Sequence, residues 1–420
     1  MQRQARKSTL RYLFAALTTV ALTAGSVYAQ TTVDYFSFTT SSDRFETLEA
    51  LIEVFEAENP GIRINYTTAD FGSYFTKLQT DFAAGNAPDV FELNYETFVT
   101  FASRGTMLDL QPFMDASSVV DDSTFYQAAL DAFAFEGQQY GLPITFSTVM
   151  LYYNKDMFDA AGIGYPSEEW TWDDVIAAAA ALTDAPNRVW GISQPIQFWE
   201  FYKTAAQAGG GLTVSPTVQI NTPENVAAAH YLVDKVQVHK VMPSDAEMSG
   251  VGDIDLFLNS QLGMIVTGIW MFDHFINEAT FDWDVAVEPG GANKGTHFFS
   301  NAAVVANTSD APEAAYKWVE FLASHPAVAE ARIETNWELS ALSLDQADAL
   351  AAYLSKPIPA NREAVFQSLA YAVNPPVIEN QPQLQDIINQ ELEAARLGTK
   401  TVEQALADAQ ARVEAVVAGQ

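Results

Sequence analysis

Two hydrophobic periods alternate along this chain, and each switch between them marks an element. Val33 to Phe38 is short, aromatic and β-branched, which predicts a strand. Phe45, Leu48, Leu51, Ile52 and Phe55 then recur at helical spacing until Asn59-Pro60-Gly61 stops them. Ile62, Ile64 and Tyr66 alternate as a second strand, so the opening reads as a right-handed βαβ unit of a parallel sheet. A helix over Tyr74 to Ala84 and a strand entered through Ala87-Pro88-Asp89-Val90-Phe91-Glu92 extend the pattern.

The same alternation resumes after Pro143. Val149 to Tyr153 predicts a strand, with a turn starting at Asn154-Lys155-Asp156. Thr171-Trp172-Asp173-Asp174 is a capping box for an Ala-rich helix to Leu182, and Thr222-Pro223 starts another helix. Leu262 to Thr267 and Trp283 to Val287 read as buried strands, and Pro289 to Gly295 as a loop. A strand over Ala302 to Ala306 and a helix from Pro312 to Leu322 follow. The chain ends in a helix capped at Thr401, with Leu406, Ala409, Val413 and Val417 on one side. The pattern is α/β throughout, and 420 residues suit two lobes.

The first 29 residues differ in kind. Arg3, Arg6, Lys7 and Arg11 precede an apolar run from Leu13 to Ala24 and the small residues of Gly25-Ser26-Val27-Tyr28-Ala29. This predicts a secretory signal peptide over 1–29, cleaved after Ala29, rather than a membrane anchor, because the run is shorter than a span needs. Its removal leaves 17 basic side chains against 53 acidic ones. Such acidity disfavours nucleic acid and anionic membrane as partners. The absence of cysteine excludes disulfides, thiolate catalysis and a lipid-anchored form, and 49% hydrophobic residues exclude disorder.

Chemistry-bearing motifs are sparse. There is no P-loop, no G-x-S-x-G elbow and no H-E-x-x-H helix, and the five histidines lack ligand spacing. No metal and no cofactor is expected. Glu96, Glu200, Asp273 and Glu338 lie near aromatics and offer material for a glycosidase acid pair, whose separation sequence does not display. What recurs is an aromatic beside polar residues at loop-like positions: Asn94-Tyr95-Glu96, Phe198-Trp199-Glu200, Gly268-Ile269-Trp270, Phe298-Phe299-Ser300-Asn301 and Asn336-Trp337-Glu338. Sugar rings offer apolar C–H faces to aromatic planes and hydroxyls to carboxylates and amides, so these residue types together suit a saccharide.

Several segments carry a family resemblance. They are Leu51 to Ile62, Ala84 to Val90, Tyr140-Gly141-Leu142-Pro143, Leu151 to Asp156, Trp170 to Asp174, Gly263-Met264-Ile265 through Trp270, and Thr401 to Leu406. In this order they resemble the extracellular solute-binding proteins that feed ABC importers, specifically the carbohydrate (maltose-binding-protein-like) family. The resemblance implies a periplasmic binding protein type II fold: two lobes, each an open sheet flanked by helices, joined by a hinge crossed several times. It implies one lobe over 30–144 and 294–345 and another over 145–293 and 346–420. It further implies a monomeric, non-enzymatic periplasmic receptor that passes a mono- or oligosaccharide to an inner-membrane permease by hinge closure. The contacts it implies are Phe38, Thr39 and Thr40; Asn94, Tyr95 and Glu96; Ser147 and Thr148, where maltose-binding protein has a glutamate; Phe198 and Trp199; Trp270 and nearby Asp273; Phe299, Ser300 and Asn301; and Trp337. Tyr371 to Pro376 departs from the maltose pattern. Two rival functions stay open: a secreted glycosidase using an acidic pair, and the same fold binding a cation such as a polyamine.

Overall fold

The computed structural model describes residues 30–38, 42–214, 217–336, 338–342, 347–376 and 381–418. The leader expected over 1–29 and the site candidates Thr39, Thr40 and Trp337 lie outside the described residues. The strands in chain order are β1 (Thr31–Ser37), β2 (Ile62–Thr68), β3 (Val90–Asn94), a small hairpin of β4 (Ala134–Phe135) and β5 (Gln138–Gln139), then β6 (Gly141–Asn154), β7 (Trp190–Ser193), β8 (Leu262–Gly268), β9 (Trp283–Ala286), β10 (Thr296–Val305) and β11 (Ala372–Val373). All but the hairpin join one mixed sheet in the order β2-β1-β3-β10-β6-β8-β7, with β9 on β6 and β11 on β10.

The opening pattern folds as expected. β1 pairs in parallel with β2 over its whole length and with β3, and helix Ser42–Glu58 crosses over between β1 and β2. That helix buries Leu48, Ile52 and Phe55 against helix Pro312–Ser324, with the Phe55 and Trp318 rings edge to face at 5.0 Å. Each such buried side chain contributes about 1.5–3 kcal/mol of hydrophobic stabilisation. The opposite face of β1 and β3 holds Tyr74, Leu78, Phe91, Phe98 and Phe101. The expected caps form: Asp174 Oδ2 accepts from the Thr171 amide at 2.8 Å, and Thr222 Oγ1 accepts from the Asn225 amide at 3.2 Å.

β6 runs through both halves of the sheet. Its 14 residues span about 46 Å at roughly 3.3 Å each, longer than one half of the sheet requires. Gly141 to Thr148 pair with β10, whereas Val149 to Asn154 pair with β8 on one edge and β9 on the other. β10 likewise runs antiparallel to β3 through Asn301 to Val305 while its first residues pair with β11. The strand expected over Ala302 to Ala306 therefore begins six residues earlier, at Thr296, and Phe298 to Asn301 are strand rather than loop. Their extension follows from β6, which offers ladder partners as far as Thr148. Phe198-Trp199-Glu200, read as loop-like, opens helix Phe198–Gln207, which buries Phe198, Phe201, Tyr202 and Ala205.

Candidate functional site

The site candidates gather where β6 and β10 run side by side in the middle of the sheet. Antiparallel partners share a face, so Phe299 with Ser147 and Asn301 with Thr145 lie on one side, joined by His297 two residues before Phe299. Phe298 with Thr148 and Ser300 with Phe146 lie on the other. The sequence grouping of Ser147 with Thr148, and of Phe299 with Ser300 and Asn301, is thus split by the two-residue period. Thr148 and Ser300 are buried beside the stacked Phe146 and Phe298 rings, and Ser300 Oγ donates to the Thr145 carbonyl at 2.9 Å. Three of those five residues share the face that carries the aromatics.

Phe299 is the meeting point of those aromatics. Trp270 stands edge to face on it at 5.3 Å, and Trp199 does the same at 6.3 Å. All three rings are half-buried, so each keeps part of its apolar surface outward. Trp270 follows β8 through the short turn Ile269–Met271, and Trp199 stands in the first turn of helix Phe198–Gln207. Ligands of open α/β sheets sit at such strand-to-helix transitions. Phe198, the other candidate of its pair, faces the core of the second lobe and is fully buried; its amide donates to Asn389 Oδ1 at 2.6 Å. Phe38 packs edge to face with Phe71 and Tyr74, and Phe71 remains 55% exposed.

The polar groups divide into those already engaged and those still open. Asn94 caps helix Tyr95–Ala102, its Oδ1 accepting from the Thr97 amide at 3.2 Å, so its side chain serves the fold. Tyr95 is half-buried against the first lobe's aromatic cluster. Glu338 accepts from Ser147 Oγ at 3.1 Å and from Asn301 Nδ2 at 3.3 Å, and Asn301 also donates to Thr145 Oγ1 at 2.9 Å. Arg44 faces both Glu338 and Asp273, which oppose the pull of burial on its guanidinium. Asp273 opens helix Phe272–Glu278 and accepts from Asn277 Nδ2 at 2.9 Å. Glu96 is 8% exposed, and its Oε2 has no hydrogen-bond partner among the described residues. A buried carboxylate oxygen in that state is costly unless something else donates to it.

The remaining acid of the candidate set, Glu200, does not reach this surface. It is buried with Glu288 around the Lys203 ammonium, which lies 2.6 Å from Glu200 Oε1. Glu200 is therefore withdrawn from any acidic pair at the aromatic face.

Sequence reasoning missed Arg44, Glu92, Arg332, Tyr202 and His297. Glu92 accepts from the Tyr35 hydroxyl beside Arg332, and burial pushes its carboxyl up to about 7. Metal-ligand spacing gives no sign of His297. The signal that finds it is His297-x-Phe299-x-Asn301, one face of a strand.

Comparison with known proteins agrees with this architecture. Residues 39–329 match the family model of bacterial extracellular solute-binding proteins. An ABC substrate-binding protein from Listeria monocytogenes, solved in complex with cycloalternan, is 44% identical and superposes with a TM-score of 0.88, covering 93% of this chain and 99% of that one. The GacH receptor of Streptomyces glaucescens, at 22% identity, shares the fold with a TM-score of 0.80 over 93% of this chain and 99% of its own. A putative binding protein of Brucella abortus is 25% identical over 377 residues, 88% of this chain and 89% of the relative. With a sheet shared by two lobes and a match over most of its length, the chain belongs to the bacterial extracellular solute-binding proteins and has their type II periplasmic-binding fold.

Proposed function

We propose that this protein is a periplasmic receptor that captures an oligosaccharide and hands it, chemically unchanged, to an ABC permease. The observation that carries this reading is the 44% identity, over nearly the whole of both chains, to a protein solved with cycloalternan. The site geometry supports it: Trp199, Trp270 and Phe299 form a half-buried aromatic surface beside Glu96, Ser147, Asn301 and Glu338. Flat rings take the C–H faces of a sugar, and fixed acceptors discriminate its hydroxyls. We assign Glu96, Ser147, Trp199, Trp270, Phe299 and Asn301 to ligand contact, with Tyr95 and Asp273 at the margin.

We place the lobes at 30–144 with 294–345 and at 145–293 with 346–420. Leu142, Ile144, Ala303 and Val305 packing with the first core supports this division. Phe298 and Leu339 pack with the second, which favours a crossing on β10 nearer Asn301 than 294. A ligand that touches both lobes only when they meet shifts the population towards the closed form. The leader over 1–29, export to the periplasm and a monomeric state complete the proposal.

A glycosidase is less well supported, since Glu200 is sealed in an ion cluster and Glu338 is held by Ser147 and Asn301. A cationic solute is disfavoured by the two guanidinium groups, Arg44 and Arg332, that face Glu338. The test is a thermal-shift screen of the mature protein with cycloalternan, maltose, maltodextrins, mannotriose and a polyamine, followed by chromatography of the incubated sugars. A sugar that raises the melting temperature and is recovered intact supports the receptor. New sugar products would establish an enzyme, and stabilisation by the polyamine alone would establish the cation-binding alternative.

A further inference from the structure

One imidazole ties the two sides of the aromatic face together. His297 on β10 is 1% exposed and lies between helix Tyr95–Ala102 and helix Phe198–Gln207. Its Nδ1 is 3.2 Å from the carbonyl oxygen of Trp199 and also meets the Tyr202 hydroxyl, which lies 3.0 Å from Nε2, and its Nε2 is 3.6 Å from Glu96 Oε1. Glu96 belongs to the first turn of one helix and Trp199 to the first turn of the other. The acceptor for sugar hydroxyls and the stacking platform are thereby referred to the same ring.

We propose that His297 is a positioning residue of the ligand site, whose neutral ring holds Trp199 in place and leaves Glu96 to accept the hydroxyls of the sugar. The inference rests on the receptor reading and deepens it. A carbonyl only accepts, so a neutral ring bonded to Trp199 carries its proton on Nδ1, where the Tyr202 hydroxyl oxygen also approaches it, and Nε2 keeps a bare lone pair. In that form nothing on the ring engages Glu96. A second proton on Nε2 points at Glu96 Oε1 and competes with the ligand for the carboxylate.

The groups facing the ring work in opposite directions. Burial lowers the basicity of His297 and Lys203, on the helix that carries Tyr202, lowers it further; Glu96 raises it, and the net direction is downward. If opening of the lobes hydrates the ring, closure around the ligand expels a proton. A base whose affinity for protons falls on closure makes binding weaker as pH drops through its open-state value, about 6.5 for an ordinary histidine.

The test is isothermal titration of the mature protein with cycloalternan between pH 5 and 8, in paired buffers of different ionisation heat. Wild type is expected to lose about fivefold or more in affinity from pH 7 to 5.5, with proton release on binding near pH 6. His297→Gln, which keeps a donor and an acceptor but no charge, is expected to bind with a flat pH profile and no proton exchange. Glu96→Gln removes the carboxylate that the imidazolium competes for and should flatten the profile in part. Affinity in wild type that is independent of pH overturns the proposal, whether or not the variants fold. A His297→Gln profile that still falls with acid overturns it too. Absence of any binding heat from cycloalternan at every pH removes the receptor reading for that sugar, and the inference with it.

Discussion

Gly268 and Trp270 occupy one volume: a Cβ built on Gly268 would stand 1.9 to 2.3 Å from three carbons of the Trp270 ring. The indole lies directly over the backbone at the end of β8, and the absence of a side chain there sets its orientation. Gly268 has φ −95°, which alanine adopts without strain, so the conflict is between side chain and ring alone. Gly268→Ala is expected to push the indole out while the sheet, anchored by the Tyr152 hydroxyl on the Gly268 carbonyl at 2.6 Å, keeps its register. Its sugar affinity should fall as far as that of Trp270→Ala, about tenfold or more, with a change in melting temperature of only a few degrees. Calorimetry of both variants checks this; wild-type affinity in Gly268→Ala would separate the indole from the ligand.

Two buried lysines on neighbouring helices should respond oppositely to the same substitution. Lys203 is enclosed by Glu200 and Glu288, and the paired carboxylates hold its ammonium above the ordinary lysine range despite burial. Removing it strands two carboxylates in the core, so Lys203→Met should cost about 3–5 kcal/mol. Lys235 is equally buried, but burial drives its amine well below the ordinary range, and among the described residues Nζ meets the Tyr231 carbonyl at 2.8 Å and the Tyr231 ring but is in no ion pair. A lysine with a depressed value loses stability as pH falls below its unfolded value of about 10.4, so at neutral pH it is a burden. Lys235→Met should leave the protein as stable or more so. Urea denaturation of the two variants at pH 7 decides the matter, and equal destabilisation would refute the contrast.

How far the sequence speaks is plain from these residues. Periodicity and caps located β1, β2, the helix carrying Phe55, the Thr171 box and the terminal helix from Thr401, because each is decided by residues within one turn or strand of it. β10 was read short because its first half is held by β6, some 150 residues earlier in the chain. Phe299 and Trp270 were legible as an aromatic beside a polar or glycine residue. Arg44, Arg332, Glu92 and Lys203 were not, since a charged side chain gives no local sign that distant carboxylates will enclose it. His297 fell between the two: its spacing was present, but its meaning depends on Glu96 and Trp199 arriving from separate helices.

Glu92 makes stability depend on pH near neutrality. Burial is the largest influence on its carboxyl, opposed by the Tyr35 hydroxyl and Arg332, and the result is about 7. An acid with a raised value is protonated in the folded state where the unfolded chain has already ionised. Its contribution is therefore complete below about pH 4.5 and is lost as pH rises through 7. Glu92→Gln keeps an acceptor for Tyr35 and removes the titration. Thermal melts from pH 5 to 8.5 should show wild type declining between pH 5 and about 7 more steeply than the variant, with the extra slope gone above that. Parallel curves would mean that Glu92 is ionised throughout, held so by Arg332.

Glu338 ties β6 to β10 beside the aromatic face. It takes hydrogen bonds from Ser147 on β6 and Asn301 on β10, and the next residue, Leu339, exchanges backbone hydrogen bonds with Phe146 at 2.9 and 3.2 Å. Glu338→Ala leaves two buried donors without their acceptor, at about 1–3 kcal/mol each if water does not replace it. Glu338→Gln keeps one acceptor oxygen and should lose far less. The loss should appear in ligand affinity as well as in melting temperature, because Ser147 and Asn301 stand beside Phe299 on the face we propose for the sugar. Both variants are therefore to be measured by thermal melt and by calorimetry with cycloalternan. A Glu338→Ala protein that melts lower yet binds as wild type would confine Glu338 to the fold and take Ser147 and Asn301 out of the ligand site.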